Sequence, residues 1–519
     1  MREGRNILQT SSDTHNLFLS TIKDELQCAS LEVGGRALDM RIPLVIAILA
    51  LSPMNLLPPP PPQQVNFVVS QSPVVGTEPY SSAIGDFNQD GFLDVAVTNF
   101  ATNSVSLLFG NGDGTFQPAV QLAAGISPTG IAASDLNGDQ ILDLIVCNSG
   151  THNVLVFIGN GDGTFKLPVT YHSGNSPRIP AVADFNGDGI PDFATVNVED
   201  NNVSVFLGNG DGTFGPAQNF AVLATSPKSV VAGDVNGDGI IDLVVGSDIS
   251  GNISVLIGNG NGTFQTAVTY PAGAGIRELA MADLNQDGIP DIVTANGSLY
   301  AISVLLGNGN GTFQSPVNYA TGNSPRSVAI MDYNGDGIPD LAVTAYGSSY
   351  LNILLGYGDG TFVSGPSIKT GQQPTSVRAA DFNGDGKPDL IVTIGGHPIP
   401  PINLLNYTTV FLNTPLSLSA TSLNFKTQTV GAASNSQTVV LTNIGTIPLS
   451  LNGIALSGSN PQDFVEERTN CGTSLAASAS CKVSLRFIPT ATGRRSASLS
   501  VPSSAPASPQ MVALQGTGD

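Results

Sequence analysis

Residues 86–94 read Asp86-Phe87-Asn88-Gln89-Asp90-Gly91-Phe92-Leu93-Asp94, and this acidic stretch recurs six more times along the chain. The later copies start at Asp135, Asp184, Asp234, Asp283, Asp332 and Asp381, at intervals of 49, 49, 50, 49, 49 and 49 residues. A second motif keeps step with the first. Gly110-Asn-Gly-Asp-Gly-Thr-Phe116 returns with its first glycine at 159, 208, 258 and 307, and as Gly356-Tyr-Gly-Asp-Gly-Thr-Phe362. The seventh unit lacks it and ends in Thr409-Val-Phe-Leu-Asn-Thr414. Such a fixed period means one supersecondary unit repeated, each copy burying its face against the next.

Each unit reads as four short strands. The acidic loop joins an apolar stretch such as Ile131-Ala-Ala to another such as Leu144-Ile-Val-Cys147. A third strand alternates, as in Val203-Ser-Val-Phe-Leu207. The Asn-Gly-Asp-Gly turn tolerates positive φ and leads by a tight hairpin into a fourth strand, as in Pro118-Ala-Val-Gln-Leu122. Four strands in about 50 residues fit a β-propeller blade, and seven blades close a ring with only short protected edges. A β-solenoid is the rival, but its coils are shorter. The expected fold is all-β: a seven-bladed β-propeller over residues 65–414, followed by a β-sandwich over 415–519.

The acidic loop has the pattern Asp-x-Asn-x-Asp-Gly-x-x-Asp. Side-chain oxygens at positions 1, 3 and 5 converge when the loop curls, and the glycine at 6 permits the bend. A backbone carbonyl at 7 and the aspartate at 9 complete the shell. These are hard oxygen donors, suited to Ca²⁺ rather than to zinc or copper. The candidate ligands are Asp86, Asn88, Asp90, Phe92 and Asp94; Asp135, Asn137, Asp139, Ile141 and Asp143; and Asp184, Asn186, Asp188, Ile190 and Asp192. They continue as Asp234, Asn236, Asp238, Ile240 and Asp242, then Asp283, Asn285, Asp287, Ile289 and Asp291. The last two sets are Asp332, Asn334, Asp336, Ile338 and Asp340, and Asp381, Asn383, Asp385, Lys387 and Asp389. An EF-hand is excluded, because position 12 is Val97 in the first copy and prolines such as Pro191 oppose a following helix. Up to seven structural ions are expected, with the second site the weakest because Gln140 replaces the glycine. The alternatives are ordinary Asx turns with exposed aspartates, or a catalytic carboxylate pair, which would not need seven copies. The Asn-Gly-Asp-Gly aspartates are read as turn residues, since two copies have Asn261 and Asn310 instead.

Charge supports the metal. The 519 residues carry 19 Lys+Arg against 40 Asp+Glu, a net charge of −21. Three aspartates in each of seven loops supply 21 of those acids, and crowded carboxylates repel unless a cation sits among them. Seven Ca²⁺ would bring the net charge to −7. The balance argues against nucleic acid as a partner, there being no basic surface to meet phosphates. Charged residues are only 11%, and 59 Gly with 35 Pro favour strands and turns over a helical bundle.

Residues 1–39 show no periodicity and read as a leader or a mis-assigned start. Met40-Arg41 precede the apolar run Ile42–Leu51, then Ser52-Pro53 and Pro58–Pro62. Over residues 40–64 this resembles a secretory signal peptide and a stiff polyproline spacer. The run is shorter than the ~20 residues of a membrane-spanning helix, so no transmembrane helix is expected. The expected location is secreted or cell-surface, with Cys28 lost on processing.

The acidic loop together with the Gly-Asn-Gly-Asp-Gly-Thr-Phe turn resembles the FG-GAP/VCBS repeats of integrin α-chain propellers and of many bacterial surface or secreted proteins. The resemblance covers some 350 residues and implies the propeller fold and integrin-like calcium roles for the ligand sets above. It implies no single activity, since adhesion propellers, fungal lectins and polysaccharide lyases share it. From Leu416 alternating stretches such as Ser417–Phe425, Gln437–Asn443 and Lys482–Phe487 read as a β-sandwich. Asn443-Ile-Gly445, Cys471…Cys481 and Phe487-Ile-Pro489…Gly493 resemble choice-of-anchor D, ASH-like immunoglobulin-type domains. Cys471 and Cys481 are a candidate disulfide consistent with export, the alternative being two free thiols. Cys147 reads as a buried strand residue.

No catalytic constellation is visible. His152, His172 and His397 are expected in three different blades, and no triad, zinc cluster or phosphate loop assembles from local spacing. Parity places the acidic loops and glycine turns on one face of the ring, and the variable loops on the other. That variable face carries Phe100, His152, Glu199-Asp200, Tyr300, Tyr346 with Tyr350, and His397. The expected function is non-catalytic adhesion or ligand binding by a monomer, with a glycan or surface protein held on the variable face. The alternative is a polysaccharide-degrading enzyme such as a lyase.

Overall fold

The computed structural model describes residues 62–395, 406–445, 447–506 and 508–519. The expected leader, the signal segment with the first prolines, Cys28 and His397 lie outside the described residues. Among those described, seven four-stranded antiparallel sheets follow one another in chain order. Blade one is built from Pro79–Gly85, Asp94–Asn99, Ser104–Leu108 and Val120–Ala123. Blades two to six repeat it, their inner strands opening at Pro128, Pro177, Pro227, Ile276 and Pro325. The inner strands of successive blades adjoin, and that of blade seven adjoins blade one, which closes the ring.

Burial explains why these residues make this sheet. The second strand of every blade is buried along its whole length, as in Asp94–Asn99 and Asp143–Asn148, and is accordingly a near-continuous apolar run. The outermost strands, such as Val120–Ala123, are mostly exposed and short, which limits their pairing with other chains. The core lies between blades. The residue at position 2 of each acidic loop is a buried wedge, and the closing Phe of the next blade's glycine turn packs on it wherever that blade has the turn. Phe87 meets Phe165, Phe185 meets Phe264 and Phe382 meets Phe116, with ring centroids 6.2, 5.7 and 5.6 Å apart. Each such ring is worth roughly 1.5–3 kcal/mol by burial.

Blade seven takes its fourth strand from the other end of the propeller. Phe67–Gln71, lying before blade one, pairs antiparallel with Asn406–Asn413, with Phe67 opposite Asn413. This accounts for the missing glycine turn in the seventh unit: no hairpin is needed where the outer strand arrives from elsewhere. Phe67 is buried and meets Tyr333 of blade six edge-on at 5.8 Å.

The C-terminal domain is a sandwich of two four-stranded sheets. One runs Leu416–Leu418, Gln437–Asn443, Ser480–Phe487, Phe464–Thr469; the other Ser422–Gln428, Gln510–Gly518, Gly493–Val501, Ala455–Ser457. Cys471 and Cys481 form a disulfide, and Cys147 is a buried strand thiol that burial pushes up to about 12. The closing strand predicts a test: Phe67→Ala should destabilise the propeller by about 3 kcal/mol in urea unfolding.

Candidate functional site

The seven acidic loops share one hydrogen-bonding scheme. In the first, the Asp86 carboxylate accepts the Asp90 and Gly91 amides at 3.2 and 2.9 Å. Asn88 Oδ1 accepts the Asp90 amide at 3.0 Å, and Asp90 Oδ1 accepts the Phe92 amide at 2.9 Å. Positions 1, 3 and 5 are thereby curled around one centre, with Asp90 exposed. Position 9 behaves differently. Asp94 is fully buried, and its two oxygens accept the Phe87 amide at 2.9 Å and the Gly110 amide at 2.8 Å. All seven copies do the same with the position-2 amide. Six of them also bind the first amide of their own glycine turn, while in blade seven Asp389 accepts the Asn413 amide at 2.8 Å instead.

The two motifs of the repeat keep step because this carboxylate joins them. The contact also demands the first glycine of the turn: a Cβ on Gly110 would stand 2.3 Å from the Leu93 carbonyl oxygen. Burial pushes the Asp94 carboxyl up to about 6 and those of Asp340 and Asp389 up to about 7; amide hydrogen bonds oppose this, and the loop's other aspartates add to it.

The donors present are those a hard divalent ion takes. Among the described residues, however, no three acidic, histidine or cysteine side chains converge as a ready metal cage. The oxygens at positions 1, 3, 5 and 9 all serve backbone amides, and those of position 9 are buried. An ion in the loop would draw on the carboxylates at 1 and 5, the Asn oxygen, the carbonyl at 7 and a shared oxygen at 9. Gln140 occupies its glycine position at φ 65°, left-handed backbone that glycine adopts without cost. The turn residues behave as read. Asp113 and Asn261 alike accept the amide and hydroxyl of the threonine two residues on, so only an acceptor oxygen is required.

The opposite face holds a cavity of about 360 Å³ at the mouth of the central channel. The residue six positions before each acidic loop stands at the head of the inner strand: Tyr80, Thr129, Arg178, Lys228, Arg277, Arg326 and Thr375. Four successive blades therefore place a cation at the mouth, and Phe100 and Tyr346 from the variable loops line it too. The Arg326 guanidinium lies 4.7 Å from the Tyr80 ring and 5.0 Å from that of Tyr346, and Arg178 lies 5.2 Å from Tyr80 and donates to its hydroxyl. Asp248 is shared by Arg277 at 2.9 Å and Lys228 at 3.9 Å, and Glu278 pairs with Arg378 at 3.0 Å.

Other residues of the variable face do not join this site. His152 accepts the Ser176 amide and Asp200 binds Asn175, while Tyr300 and Tyr350 are exposed singly. His172 ends the outer strand of blade two and is paired with Asn153, so it shares a blade with His152 rather than occupying another. The cations were legible: 178, 228, 277 and 326 follow the repeat interval.

The family model for FG-GAP-like repeats matches residues 86–146, 135–195, 184–245, 234–294, 283–343 and 332–392. That for a HYDIN/CFA65/VesB-like, Ig-like domain matches residues 415–517. Among solved structures the chain is similar to an Agrocybe aegerita lectin described for specific recognition of non-reducing terminal N-acetylglucosamine, at 20% identity and TM-score 0.39, covering 59% of this chain and 79% of that one. It is also similar to a chain of the BBS1N–ARL6DN complex, at 11% identity and TM-score 0.49, covering 67% and 97%. A protein from Lactobacillus plantarum matches at 13% identity and TM-score 0.47, covering 59% and 88%. No curated protein sequence matches the chain.

The two kinds of loop aspartate should separate on mutation. Asp291→Ala strands two buried amides and should cost about 2–5 kcal/mol even in chelator. Asp287→Ala, on the exposed rim, should cost under about 1 kcal/mol there and act only on the response to calcium. Gln140→Gly should stabilise by up to about 1 kcal/mol, read as a raised melting temperature.

Proposed function

Since the chain belongs to the FG-GAP-like repeat family, we propose that it is a secreted or cell-surface, calcium-binding β-propeller that holds a glycan or surface protein on its variable face and performs no catalysis. The observation that carries this reading is the contrast between the two faces. One carries the acidic loop in all seven blades and is knitted into the fold by its own hydrogen bonds. The other differs from blade to blade and has a cavity at its centre, where rigid scaffolds usually hold ligands. Sevenfold repetition of the oxygen donor set, with a position-9 carboxylate whose proton affinity is raised by burial and then by the loop's other aspartates, supports calcium as a structural ion. Bound there, Asp86, Asn88, Asp90, the Phe92 carbonyl and Asp94, with their counterparts, would hold it, and its charge would cancel their repulsion.

The Cys471–Cys481 disulfide and the apolar run after Met40 support export. Among the described residues no helix is long and apolar enough to cross a membrane. The net charge of −21 speaks against nucleic acid, and a monomer is the simplest state for a closed ring. A second reading, a polysaccharide lyase on the same scaffold, is favoured by Lys228, which burial and the nearby Arg178 push down to about 8, within reach of base chemistry.

Two measurements test the proposal. Millimolar calcium should raise the melting temperature and chelation should lower it, since an ion that binds only the folded chain stabilises by mass action. An unchanged melting curve would remove the structural ion. A glycan array paired with a depolymerisation assay should show retention without product, and unsaturated sugar products would instead establish the lyase.

A further inference from the structure

The eight lysines and arginines between residues 65 and 414 are Lys166, Arg178, Lys228, Arg277, Arg326, Lys369, Arg378 and Lys387. Five of them gather at the channel: Arg178, Lys228, Arg277 and Arg326 line the mouth, and Arg378 stands behind Glu278. Glu78 and Glu278 also line it, and Asp248 backs it, so five cations face three carboxylates in a chain whose overall charge is strongly negative. This local excess of positive charge is built in.

The cations are held in place. Arg326 is fixed between two aromatic rings, and Arg178 is fixed by the ring and hydroxyl of Tyr80. Cation–π contact satisfies the face of a guanidinium but leaves its edge donors available. Arg178 Nε is buried and has no hydrogen-bond acceptor. Burial depresses the proton affinity of Arg178, Lys228 and Arg326, and the cations' mutual repulsion adds to it for the first two. Like charges crowded out of water are stabilised by an anion among them, the mirror image of the acidic loops.

Resting on the ligand-binding reading above, we propose that the channel mouth binds one acidic sugar residue, a carboxylate- or sulfate-bearing monosaccharide unit, through Arg178, Lys228, Arg277 and Arg326. The cavity volume is at the small end of ligand sites, which suits a single ring and not a length of chain. Aromatic and apolar walls at Phe100, Tyr346 and Ile179 suit a sugar ring better than a bare inorganic ion. An extended polyanion such as nucleic acid would meet the acidic remainder of the molecule.

The test is calorimetric titration of the full chain in calcium with glucuronate, galacturonate, N-acetylneuraminate and glucose 6-sulfate. Glucose, galactose and sodium sulfate are the comparison ligands. At least one acidic sugar should bind about tenfold or more tightly than its neutral counterpart and than sulfate, and should weaken as salt rises. Arg277→Gln and Arg326→Gln should each reduce that affinity about tenfold or more, with Arg326→Lys in between and the exposed Lys166→Gln unchanged. Calcium-bound melting curves that match the parent establish that the variants fold. Should a variant fail to fold, the salt dependence and the neutral-sugar comparison on the parent chain still decide. The proposal is overturned if no acidic sugar binds, or if sulfate binds as tightly as the sugars. It is overturned equally if a neutral glycan or a protein binds with the arginine variants unaffected, a result that would leave the adhesion reading intact.

Discussion

A carboxylate buried at the root of each blade holds the propeller in register. Asp94 and its six counterparts accept one amide from the head of their own acidic loop and a second from the far side of the sheet. The first strand's exit and the third strand's end are thus tied to the start of the second strand. The next turn then reaches the neighbouring blade: the Gly163 amide binds the Phe87 carbonyl at 3.1 Å, and Gly114 binds Phe382 at 3.0 Å. Removing the carboxylate leaves two amides without partners in a dry interior, a larger loss than an exposed loop aspartate could cause. The same burial makes the charge costly, and its two amide partners offset part of that cost.

How much of this could be read from residues follows from what kind of constraint each imposes. The period, the four strands and the glycine turn were legible because they rest on local chemistry: alternation, positive φ and a fixed spacing. The pairing of Phe67–Gln71 with blade seven was not, because it joins strands separated by more than 300 residues and leaves only a missing motif as its trace. The double role of the position-9 aspartate was hidden for a related reason. Spacing shows that an oxygen is available but not which way it faces, and in the fold it faces the backbone. The two histidines expected in separate blades share one, and the repeat interval already carried that information, since 152 and 172 both lie between the loops that start at Asp135 and Asp184.

The repeat demands sameness where blades touch and permits difference where they do not. Position 2 of the loop is a buried ring or aliphatic side chain, and the last glycine of the turn must lack a side chain because a Cβ there would meet the preceding blade, as at Gly163 against Phe109 at 2.5 Å. The residue six places earlier stands at the channel mouth, where Thr129 and Thr375 donate to the Pro177 and Pro79 carbonyls of the next blade while the longer side chains line the cavity. There the seven blades diverge into Tyr80, two threonines and four cations, and the cations fall on consecutive blades three to six. A ring carrying its positive charge on one arc has a direction. Tyr80, across from that arc, meets guanidinium groups from blades three and six at once.

That asymmetry bears on why one mouth gathers most of the propeller's few basic residues while the acids crowd the other face. If the cations served only to neutralise the excess of aspartate, they would lie among the loops, where Lys387 is the single example. They lie instead at the far end of the inner strands, too distant to offset the loop carboxylates and too close together to favour one another. Separation of this kind costs folding energy on both faces. It is understandable if each face is completed by a partner of opposite sign: small divalent ions on the uniform face, and on the variable face an anion whose shape the surrounding aromatic side chains can select.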